Sequence, residues 1–473
     1  MNGLHSGRLV SAEDRGVLRA RAPISVVIPA HDAAPFLDAC LRHLAHSRVA
    51  PLEVIVVDDG SRDQTASIAR SHGVTVLSTG GRKGPAHARN VGGQAVRGDI
   101  LFFIDADVCV HPDTIERIAD AFAADRELDA MIGSYDDSPE APDFISQYKN
   151  LMHCFTHQNG RRMASTFWSG CGAIRRHVFL EHSGFATEYG RPAIEDIELG
   201  YRLVMARRKV ILDRDLLVKH LKRWTLWSLV RTDIVDRGIP WTELILRDGR
   251  MPNDLNVQLS QRVSVALALL LVGMAAFAAA WWGGAFLTPL LGVLFFLLCR
   301  YWADEADRDP PPSRILWFAG AAGAVVWLAW VNHMHALIPL VALSVLVLAL
   351  RHRYAYPRAR QPGMTRVFVG IYVVVAVLLC LSYLPTHPLV LSICLGALAV
   401  LFLNNQFFLF LAARQGRLFA LAAIPFQLLY HFYCGVAFLV GSMRYWGMRL
   451  GNDRLRDGAE GIRSVEQPAL RRP

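Results

Sequence analysis

Seven long apolar stretches occupy the chain after Arg262, and they limit its possible folds more than any other feature. Most of them approach the ~20 residues that a helix needs to cross the hydrocarbon core of a bilayer. We therefore predict a membrane domain of six or seven helices over residues 263–443, followed by a basic tail at 444–473. The stretches lie at about 263–282, 286–302, 315–331, 336–350, 367–385, 388–411 and 418–441.

The net charge of +9 belongs entirely to this apolar half. Residues 1–262 hold 33 basic and 33 acidic side chains, whereas residues 263–473 hold 17 basic and 8 acidic ones. A front half with balanced charge lacks the basic surface of a nucleic-acid-binding domain, so we expect no nucleic acid as a partner. The 53% of hydrophobic residues excludes a disordered chain. Eight Cys without a C-x-x-C pair exclude a disulfide scaffold.

The distribution of arginine predicts how the membrane domain is oriented. Ten Arg lie in the loops expected inside, and none lies in the outer loops near Gly283, His333 and Thr386. Residues 1–22, an N-terminal extension, lack the apolar core of a signal peptide. We expect a multi-pass protein of the inner or plasma membrane, with its front half in the cytoplasm.

The basic tail does not fit this orientation. Seven crossings would place the seven Arg of residues 444–473 outside, against the positive-inside rule. We therefore expect the seventh stretch, which contains Pro425, to be re-entrant or interfacial; a miscount of helices is the alternative. Polar residues inside the last two stretches either line a path for a lipid headgroup or growing chain, or join helices by hydrogen bonds. They are Asn404, Asn405, Gln406, Gln427 and His431.

The front half has the pattern of an α/β domain. Short, continuous apolar strands alternate with segments of helical spacing, which indicates a mostly parallel, Rossmann-like sheet covered on both faces. Ligands of such sheets bind beyond the carboxyl ends of the strands. The predicted strands are 24–28, 53–57, 74–77 and 100–104, and the predicted helices are 35–44, 64–72 and 84–96.

Acidic residues follow two of these strands. Asp58 and Asp59 end the second strand, and Asp105 and Asp107 follow the fourth. Carboxylates in this arrangement suit Mg²⁺ or Mn²⁺, which commonly use one or two of them together with substrate phosphates. Further along, Glu195 and Asp196 begin a predicted helix. The basic run at 219–224 is suited to a diphosphate or to a membrane surface.

In their order along the chain, these motifs resemble those of the family 2 inverting nucleotide-sugar glycosyltransferases, whose fold is called GT-A. The resemblance covers residues 23–230 and implies a glycosyltransferase domain with that mostly parallel α/β fold. The residues that carry it are Val26–Pro29 with Ala30–Asp32, Val56–Ser61, Gly84–Asn90, Phe103–Asp107, Phe167–Cys171, Glu195–Asp196 and Arg223–Trp224.

The resemblance implies a role for each motif on the donor side. Asp58 and Asp59 would hold the base and ribose of a nucleotide sugar, expected to be a UDP-sugar, with Pro29, Ala30 and Asp32 nearby. Arg89 would support the acidic site. Asp105 would contact the ribose or the metal, and Asp107 would bind the divalent cation, Mg²⁺ or Mn²⁺.

On the acceptor side, the resemblance implies that Asp196, beside Glu195, is the general base for the attacking hydroxyl. Arg223 would steady the departing diphosphate, and Trp224 would stack on the acceptor sugar. Trp168 and Gly170 would belong to an acceptor loop. We expect residues 231–262 to form an interfacial amphipathic linker that brings the site to a lipid-linked or membrane-associated acceptor.

Two departures from the family pattern concern the mode of action. Processive synthases of this family have Gln where this chain has His220, and they usually have Ser where it has Cys171. We therefore expect a single sugar transfer, in cell-envelope polysaccharide or glycolipid synthesis. A processive polysaccharide synthase with a secretion channel is the first alternative. A non-catalytic transport or assembly subunit is the second, although Asp107 and Asp196 are both present.

Overall fold

The computed structural model describes residues 21–189, 191–282 and 388–465, with the single positions 323 and 326. The predicted membrane helices at 286–302, 336–350 and 367–385, and nearly all of 315–331, lie outside the described residues. The described residues of 1–258 and 437–473 form one compact unit, and those of 259–436 form another.

Four parallel strands form the first half of an eight-stranded sheet, as the sequence predicts. Each pair is parallel, and the first three strands are followed by helices that cover the sheet. Strand β4 has the predicted bounds and is buried along its whole length. The elements are β1 (Arg21–Ala30), α1 (Ala34–Ala45), β2 (Ala50–Asp58), α2 (Thr65–Ser71), β3 (Thr75–Ser78), α3 (Pro85–Ala95) and β4 (Ile100–Ile104).

The second half of the sheet departs from the mostly parallel arrangement. Strand β7 runs antiparallel to both β4 and β6, and β5 runs antiparallel to β8. The order across the sheet is β3-β2-β1-β4-β7-β6-β8-β5, so the α/β prediction holds for a mixed sheet. The remaining elements are β5 (Val108–Val110), α4 (Thr114–Ala124), β6 (Leu128–Tyr135), α5 (Phe144–Gln158), β7 (Cys171–Arg175), α6 (Arg176–Glu181), α7 (Glu195–Met205) and β8 (Lys209–His220).

The linker after β8 is helical. It consists of α8 (Leu226–Arg231), a π-helix (Thr232–Gly238), α9 (Ile239–Asp248) and a short 3₁₀ turn (Leu255–Val257). Trp227 is 75% exposed, as an interfacial element requires. Trp241 instead packs on the domain, and its indole Nε1 donates to the Tyr201 hydroxyl at 3.1 Å. Only part of the linker therefore presents aromatic surface.

The apolar helices are α10 (Leu259–Trp282), α11 (Pro388–Leu403), α12 (Asn405–Gln415) and α13 (Arg417–Val465). In the described part of the chain, two segments are long and apolar enough to cross a membrane, Leu259–Phe277 and Arg417–Leu450. The pair α11 and α12, bent by 62°, adds a third if it counts as one broken span.

The structure does not support a re-entrant or interfacial seventh stretch, because Arg417–Leu450 is one of the helices long and apolar enough to cross a membrane. Helix α13 continues through Pro425, and the break lies in the sixth stretch, where α11 ends and Asn404 begins α12. At the break, the Val400 carbonyl accepts from the Asn404 amide at 3.1 Å and also from the Asn404 side chain at 2.9 Å, and such side-chain bonds to the carbonyl four residues earlier often bend helices. The bent pair, rather than α13, therefore has the geometry of a broken span or a re-entrant loop.

Three of the polar residues in these stretches are buried together. Asn404 donates to the Ser264 hydroxyl at 3.0 Å, and its Oδ1 lies 3.4 Å from Gln427 and 3.3 Å from His431. These contacts join α10, α12 and α13. Among the described residues, the cluster therefore makes the interhelical hydrogen bonds that were one of the two interpretations.

Candidate active site

The ends of β1 and β2 form two interlocked loops. The Asp59 amide donates to the Ala30 carbonyl at 2.8 Å, and the Arg62 amide donates to the Asp32 carboxylate at 2.8 Å. Asp32 has a φ of 48°, in the left-handed region that Asp tolerates better than most residues. These contacts bring Pro29, Ala30 and Asp32 beside Asp58 and Asp59, as the donor-site prediction requires.

The two aspartates of the β2 loop have different surroundings. The buried Asp59 carboxylate accepts from the backbone amides of Lys83 and Gly84, each at 2.8 Å, and from the Thr79 hydroxyl at 2.8 Å. Asp58 is half-buried, and one of its oxygens accepts from the Ser61 amide at 3.0 Å. Asp59 thus shapes the loop before α3, whereas Asp58 keeps an oxygen for a ligand.

Arg89 links two acidic motifs that are far apart in sequence. Its guanidinium donates to Asp105 at 2.7 Å and to Glu195 at 2.8 Å, and the Arg89 and Glu195 side chains are 5% and 4% exposed. Burial lowers the pKa of Arg89, but the nearby Asp105 and Glu195 carboxylates raise it by more. The net direction is upward, so Arg89 stays charged. Arg89 therefore fixes the carboxyl end of β4 against the first turn of α7.

Burial also shifts the pKa of Glu195. It raises the pKa of this carboxyl, Arg89 opposes the rise and Asp196 adds to it, and the net direction is upward. Glu195 also accepts from the Ala193 amide at 2.9 Å. With its oxygens occupied and its side chain buried, Glu195 is placed to orient the start of α7. Its predicted catalytic role stays a prediction.

Asp196 is held by the predicted acceptor loop. One carboxylate oxygen accepts from both the backbone amide and the hydroxyl of Ser169, each at 3.1 Å. Asp196 is only half-buried, so a substrate hydroxyl can approach it. The loop places Trp168 next to Tyr135 in an edge-to-face contact at 4.8 Å, and Gly170 is buried below the Trp168 ring, where a side chain would clash.

The pairing of β5 with β8 brings Asp107 to His220. Val108 pairs with His220 in the ladder, and His220 Nε2 lies 3.5 Å from the Asp107 carboxylate. On the other side of the ring, Nδ1 lies 2.7 Å from Asn150 Oδ1. Burial raises the pKa of Asp107, but His220 and Lys222 lower it more, so the net direction is downward.

These two side chains fit a divalent cation. When a cation replaces the Nε2 proton, a ring whose Nδ1–H is donated to Asn150 would present its Nε2 lone pair on the Asp107 side, the arrangement that metal-bound histidines commonly have. Within the described residues, no three His, Cys, Asp or Glu side chains converge as a metal site. The protein would thus supply two ligands, and phosphate oxygens of a substrate the others. Asp105, the second predicted ligand, is paired with Arg89 instead.

Two predicted residues lie apart from this cluster. The Arg223 side chain is 77% exposed, and its ion pair in the described structure is with Asp143 at 3.2 Å. Trp224 is 4% exposed, and the Lys222 ammonium lies 4.2 Å from its ring centroid. In this conformation, neither residue contacts Asp107 or Asp196, and their roles stay predictions.

Sequence reasoning did not select His220, Ser169 or Asn150 as site residues. His220 drew notice only as a departure from the processive motif, and Ser169 lies inside the loop motif. The signal that relates His220 to Asp107 is the pairing of two distant strands, which no local pattern reveals. Asn150 lies on α5 without a motif of its own.

Comparison with known proteins identifies a family that matches part of this chain. Residues 25–184 match the family described as Glycosyl transferase family 2. The chain is 30% identical over 117 residues to the glycosyltransferase GlyG of Streptococcus pneumoniae, which covers 24% of this chain and 38% of that protein. It is 28% identical over 216 residues to a validoxylamine A glucosyltransferase of Streptomyces hygroscopicus, covering 38% and 47% respectively. The chain thus spans less than half the length of these relatives.

A solved structure is similar over a longer stretch. The mannosyltransferase PcManGT of Pyrobaculum calidifontis, in complex with GDP-Man and Mn²⁺, is 16% identical, covers 80% of this chain and 87% of its own, and has a TM-score of 0.35. The family match and the mixed α/β sheet together confirm the resemblance found in the motifs. Residues 25–184 are a family 2 glycosyltransferase domain.

Proposed function

We propose that the chain is a membrane-bound inverting glycosyltransferase that moves one sugar from a nucleotide sugar, most simply a UDP-sugar, to a lipid-linked or membrane-associated acceptor. The observation that carries this proposal is the double ion pair of Arg89, which fixes the acidic end of β4 beside the start of α7. It brings the predicted donor-side and acceptor-side motifs together in one domain.

The geometry supports direct displacement. The attacking hydroxyl needs a base within hydrogen-bond reach, and Asp196 presents a half-buried carboxylate that Ser169 holds in place. Attack on the anomeric carbon from the side opposite the diphosphate inverts that carbon, while the hydroxyl proton passes to Asp196. Asp107 and His220 would hold a Mg²⁺ or Mn²⁺ ion, which would neutralise charge on the leaving diphosphate.

Membrane association is the second part of the proposal. It is supported by the two helices long enough to span a bilayer and by the exposed Trp227 on α8, a residue type that favours membrane interfaces. A catalytic domain joined to such helices reaches acceptors held in the same membrane. We propose the inner or plasma membrane, with the domain in the cytoplasm and a role in cell-envelope polysaccharide or glycolipid synthesis.

Donor hydrolysis and sugar transfer by the full chain in detergent test this function. We expect UDP release from a panel of UDP-sugars to require Mn²⁺ or Mg²⁺ and membrane lipid extract. Asp196→Asn should lower turnover by roughly 10²-fold or more, because it removes the base. Asp107→Asn should shift the metal dependence to higher Mn²⁺ concentration.

The exposed Asp215 on β8 offers a matched control, because Asp215→Asn removes the same charge far from the Asp196 contacts. This variant should retain wild-type turnover. Transfer that survives both Asp107→Asn and Asp196→Asn would refute the assignment of the site. Long polymer in place of a single-sugar product would support the processive alternative.

A further inference from the structure

One face of α5 carries a line of polar side chains that the proposed reaction uses only in part. Residues four, three and four positions apart lie on the same face of a helix. Here they are Ser146, Asn150, His153 and His157. Each contacts a different segment around the site: Ser146 accepts from the Trp224 amide at 2.7 Å, Asn150 contacts His220, His153 contacts Arg237, and the His157 ring lies 4.6 Å from that of Trp168.

Arg237 of the π-helix brings an uncompensated positive charge to this face. Its Nη1 lies 3.5 Å from His153 Nε2, and no carboxylate of the described residues lies within ion-pair distance of it. Its neighbours differ: Lys149 is buried in an ion pair with Asp233 at 2.7 Å, and Arg231 lies 3.9 Å from Asp236. Because Arg237 is only half-buried, its charge remains available to a ligand.

The imidazoles beside Arg237 are neutral. Burial lowers the pKa of His153 well below its ordinary value, and Lys149 and Arg237 lower it further. Burial, with a contribution from Arg237, lowers the pKa of His157 to about 4. The Nδ1 of His157 is buried and has no hydrogen-bond partner, and the same is true of Asn150 Nδ2. Buried polar atoms are normally paired, so these atoms indicate a polar partner that the protein itself does not supply.

Aromatic contacts connect this face to the reacting groups. The Tyr135 ring stacks on His220 with centroids 4.4 Å apart, and it lies 5.9 Å from the His153 ring. Tyr135 also contacts Trp168 of the acceptor loop. Through His153 and Tyr135, Arg237 is therefore connected to His220 and to Trp168 of the predicted acceptor loop.

We propose that Arg237, His153 and His157 form a subsite for a phosphate group carried by the acceptor. The inference rests on the proposed glycosyltransferase function and specifies its acceptor. A guanidinium offers a planar set of donors that matches phosphate oxygens, and the unpartnered Nδ1 of His157 can add an N–H donor, while His153 accepts from Arg237 and holds it in place. The phosphate belongs either to a polyprenyl-type lipid or to a soluble phosphosugar. The apolar Leu226 and Trp227 on α8, directly before the π-helix, favour the lipid.

Binding of farnesyl phosphate to the full chain in detergent micelles tests this proposal. We expect saturable binding, weakened about tenfold or more in Arg237→Gln because charge-assisted hydrogen bonds are lost. Arg237→Lys, which keeps the charge without the planar fork, should bind with intermediate strength. Arg231→Gln, a change of the same charge on the neighbouring helix, should bind like wild type. Farnesol, which lacks the phosphate, should not compete.

Separate probes keep the outcomes distinct. Competition by inorganic phosphate or glucose 1-phosphate as strong as that by farnesyl phosphate would assign the subsite to a soluble phosphosugar. Equal binding of farnesyl phosphate by wild type and Arg237→Gln would overturn the proposal. Binding of UDP with Mn²⁺ is measured in parallel: unchanged UDP affinity in Arg237→Gln shows that the variant is folded. If the wild-type chain does not bind UDP with Mn²⁺, that result contradicts the proposed function instead.

Discussion

At the scale of single residues, Arg89 joins the end of β4 to the start of α7 through its ion pairs with Asp105 and Glu195. Arg89→Ala would leave the Glu195 carboxylate buried without its counter-charge. Removing one partner of a buried ion pair typically lowers the free energy of unfolding by about 3–5 kcal/mol. We expect a loss of that size in chemical denaturation of the detergent-solubilised chain, together with loss of sugar transfer.

A matched arginine provides the control. Arg42 on α1 pairs with Asp38 at 2.7 Å, but its side chain is 63% exposed. Exposed pairs of this kind contribute about 0.3–0.5 kcal/mol, so Arg42→Ala should unfold almost like wild type. Equal destabilisation by the two variants would show that the Arg89 ion pairs contribute no more to the free energy of unfolding than an exposed ion pair does.

Glu53 predicts a pH dependence of stability remote from the catalytic groups. Its carboxylate accepts from the Ser25 hydroxyl at 2.7 Å, from the Arg97 amide at 2.6 Å and from the Arg97 guanidinium at 3.0 Å. Burial raises the pKa of Glu53, but these donors lower it more, so its pKa lies below the ordinary 4.5. A carboxylate with a lowered pKa stabilises the fold above its unfolded pKa and loses that contribution as the pH falls through its folded pKa.

We therefore expect Glu53→Gln to lower the free energy of unfolding at pH 7 by about 1.5–3 kcal/mol, the size of hydrogen bonds to a charged group. The difference from wild type should shrink as the pH falls below 4.5. Denaturation curves between pH 3 and pH 8 measure this. Glu116→Gln, at a more exposed pair with Arg48 at 3.7 Å, serves as the control. A difference that stays constant with pH would contradict the assignment.

The sequence predicts a candidate site residue when that residue is marked by a local pattern, and not when its position depends on contacts between distant segments. Asp58, Asp105 and Asp196 could be proposed from the sequence because they follow a strand or begin a helix, a position that local spacing reveals. His220 was missed because its position beside Asp107 depends on the pairing of β5 with β8, a contact between residues more than a hundred positions apart. Arg223 is the opposite case. A motif predicted it as a site residue, but in the structure its side chain pairs with Asp143.

At the scale of elements, the packing of α7 against the acceptor loop controls the position of Asp196. Gly200 faces this loop so closely that a Cβ there would lie 2.0 Å from the Phe167 nitrogen. Gly200→Ala would therefore push α7 away from residues 166–167 and disturb the contact of Asp196 with Ser169. We expect a stability loss of about 1–3 kcal/mol from overpacking, and a fall in turnover larger than any change in UDP affinity.

The control for this substitution is a glycine with free space. Gly447 in α13 has nothing within 4 Å of its would-be Cβ, so Gly447→Ala should be neutral or slightly stabilising. Thermal unfolding and steady-state kinetics of the two variants give the comparison. Wild-type turnover in Gly200→Ala would show that α7 tolerates a shift, and that the Ser169 contact does not limit the reaction.

Elements were predictable where their signals are short and local. The four parallel strands are buried apolar runs bounded by turns, so their positions followed from the sequence to within a few residues. The antiparallel β7 was not foreseen, because strand direction depends on which partner the chain meets. The irregular segment was expected at Pro425, but a proline inside a helix removes one hydrogen bond, which α13 tolerates, whereas the Asn404 side chain adds a bond to the Val400 carbonyl at the bend between α11 and α12.

At the scale of the whole molecule, contacts of α13 with the glycosyltransferase unit predict the side on which α13 ends if it crosses a membrane. Arg444 forms an ion pair with Glu243 of α9 at 3.1 Å, and Gly441 packs on Thr242. Both α9 and this end of α13 belong to the unit that contains the glycosyltransferase domain. Residues 417–436 before them are about as long as one bilayer crossing. If α10 and α13 both span the membrane, the domain before α10 and the end of α13 lie on the same side. The chain then crosses the membrane an even number of times in total.

An even number removes the conflict between the basic tail and the positive-inside rule, because it places Arg444 and Arg449 on the same side as the domain. We expect green fluorescent protein fused to either terminus of the full chain to fluoresce in a bacterial host. Alkaline phosphatase fused to the C-terminus should be inactive, whereas a fusion after Gly283, in the first predicted outer loop, should be active. An active C-terminal phosphatase fusion would mean that the ion pair of Arg444 with Glu243 does not form in the membrane. Glu243→Lys, which sets like charges opposite Arg444, should then leave thermal unfolding unchanged; if the pair forms, the same variant should lower the unfolding temperature.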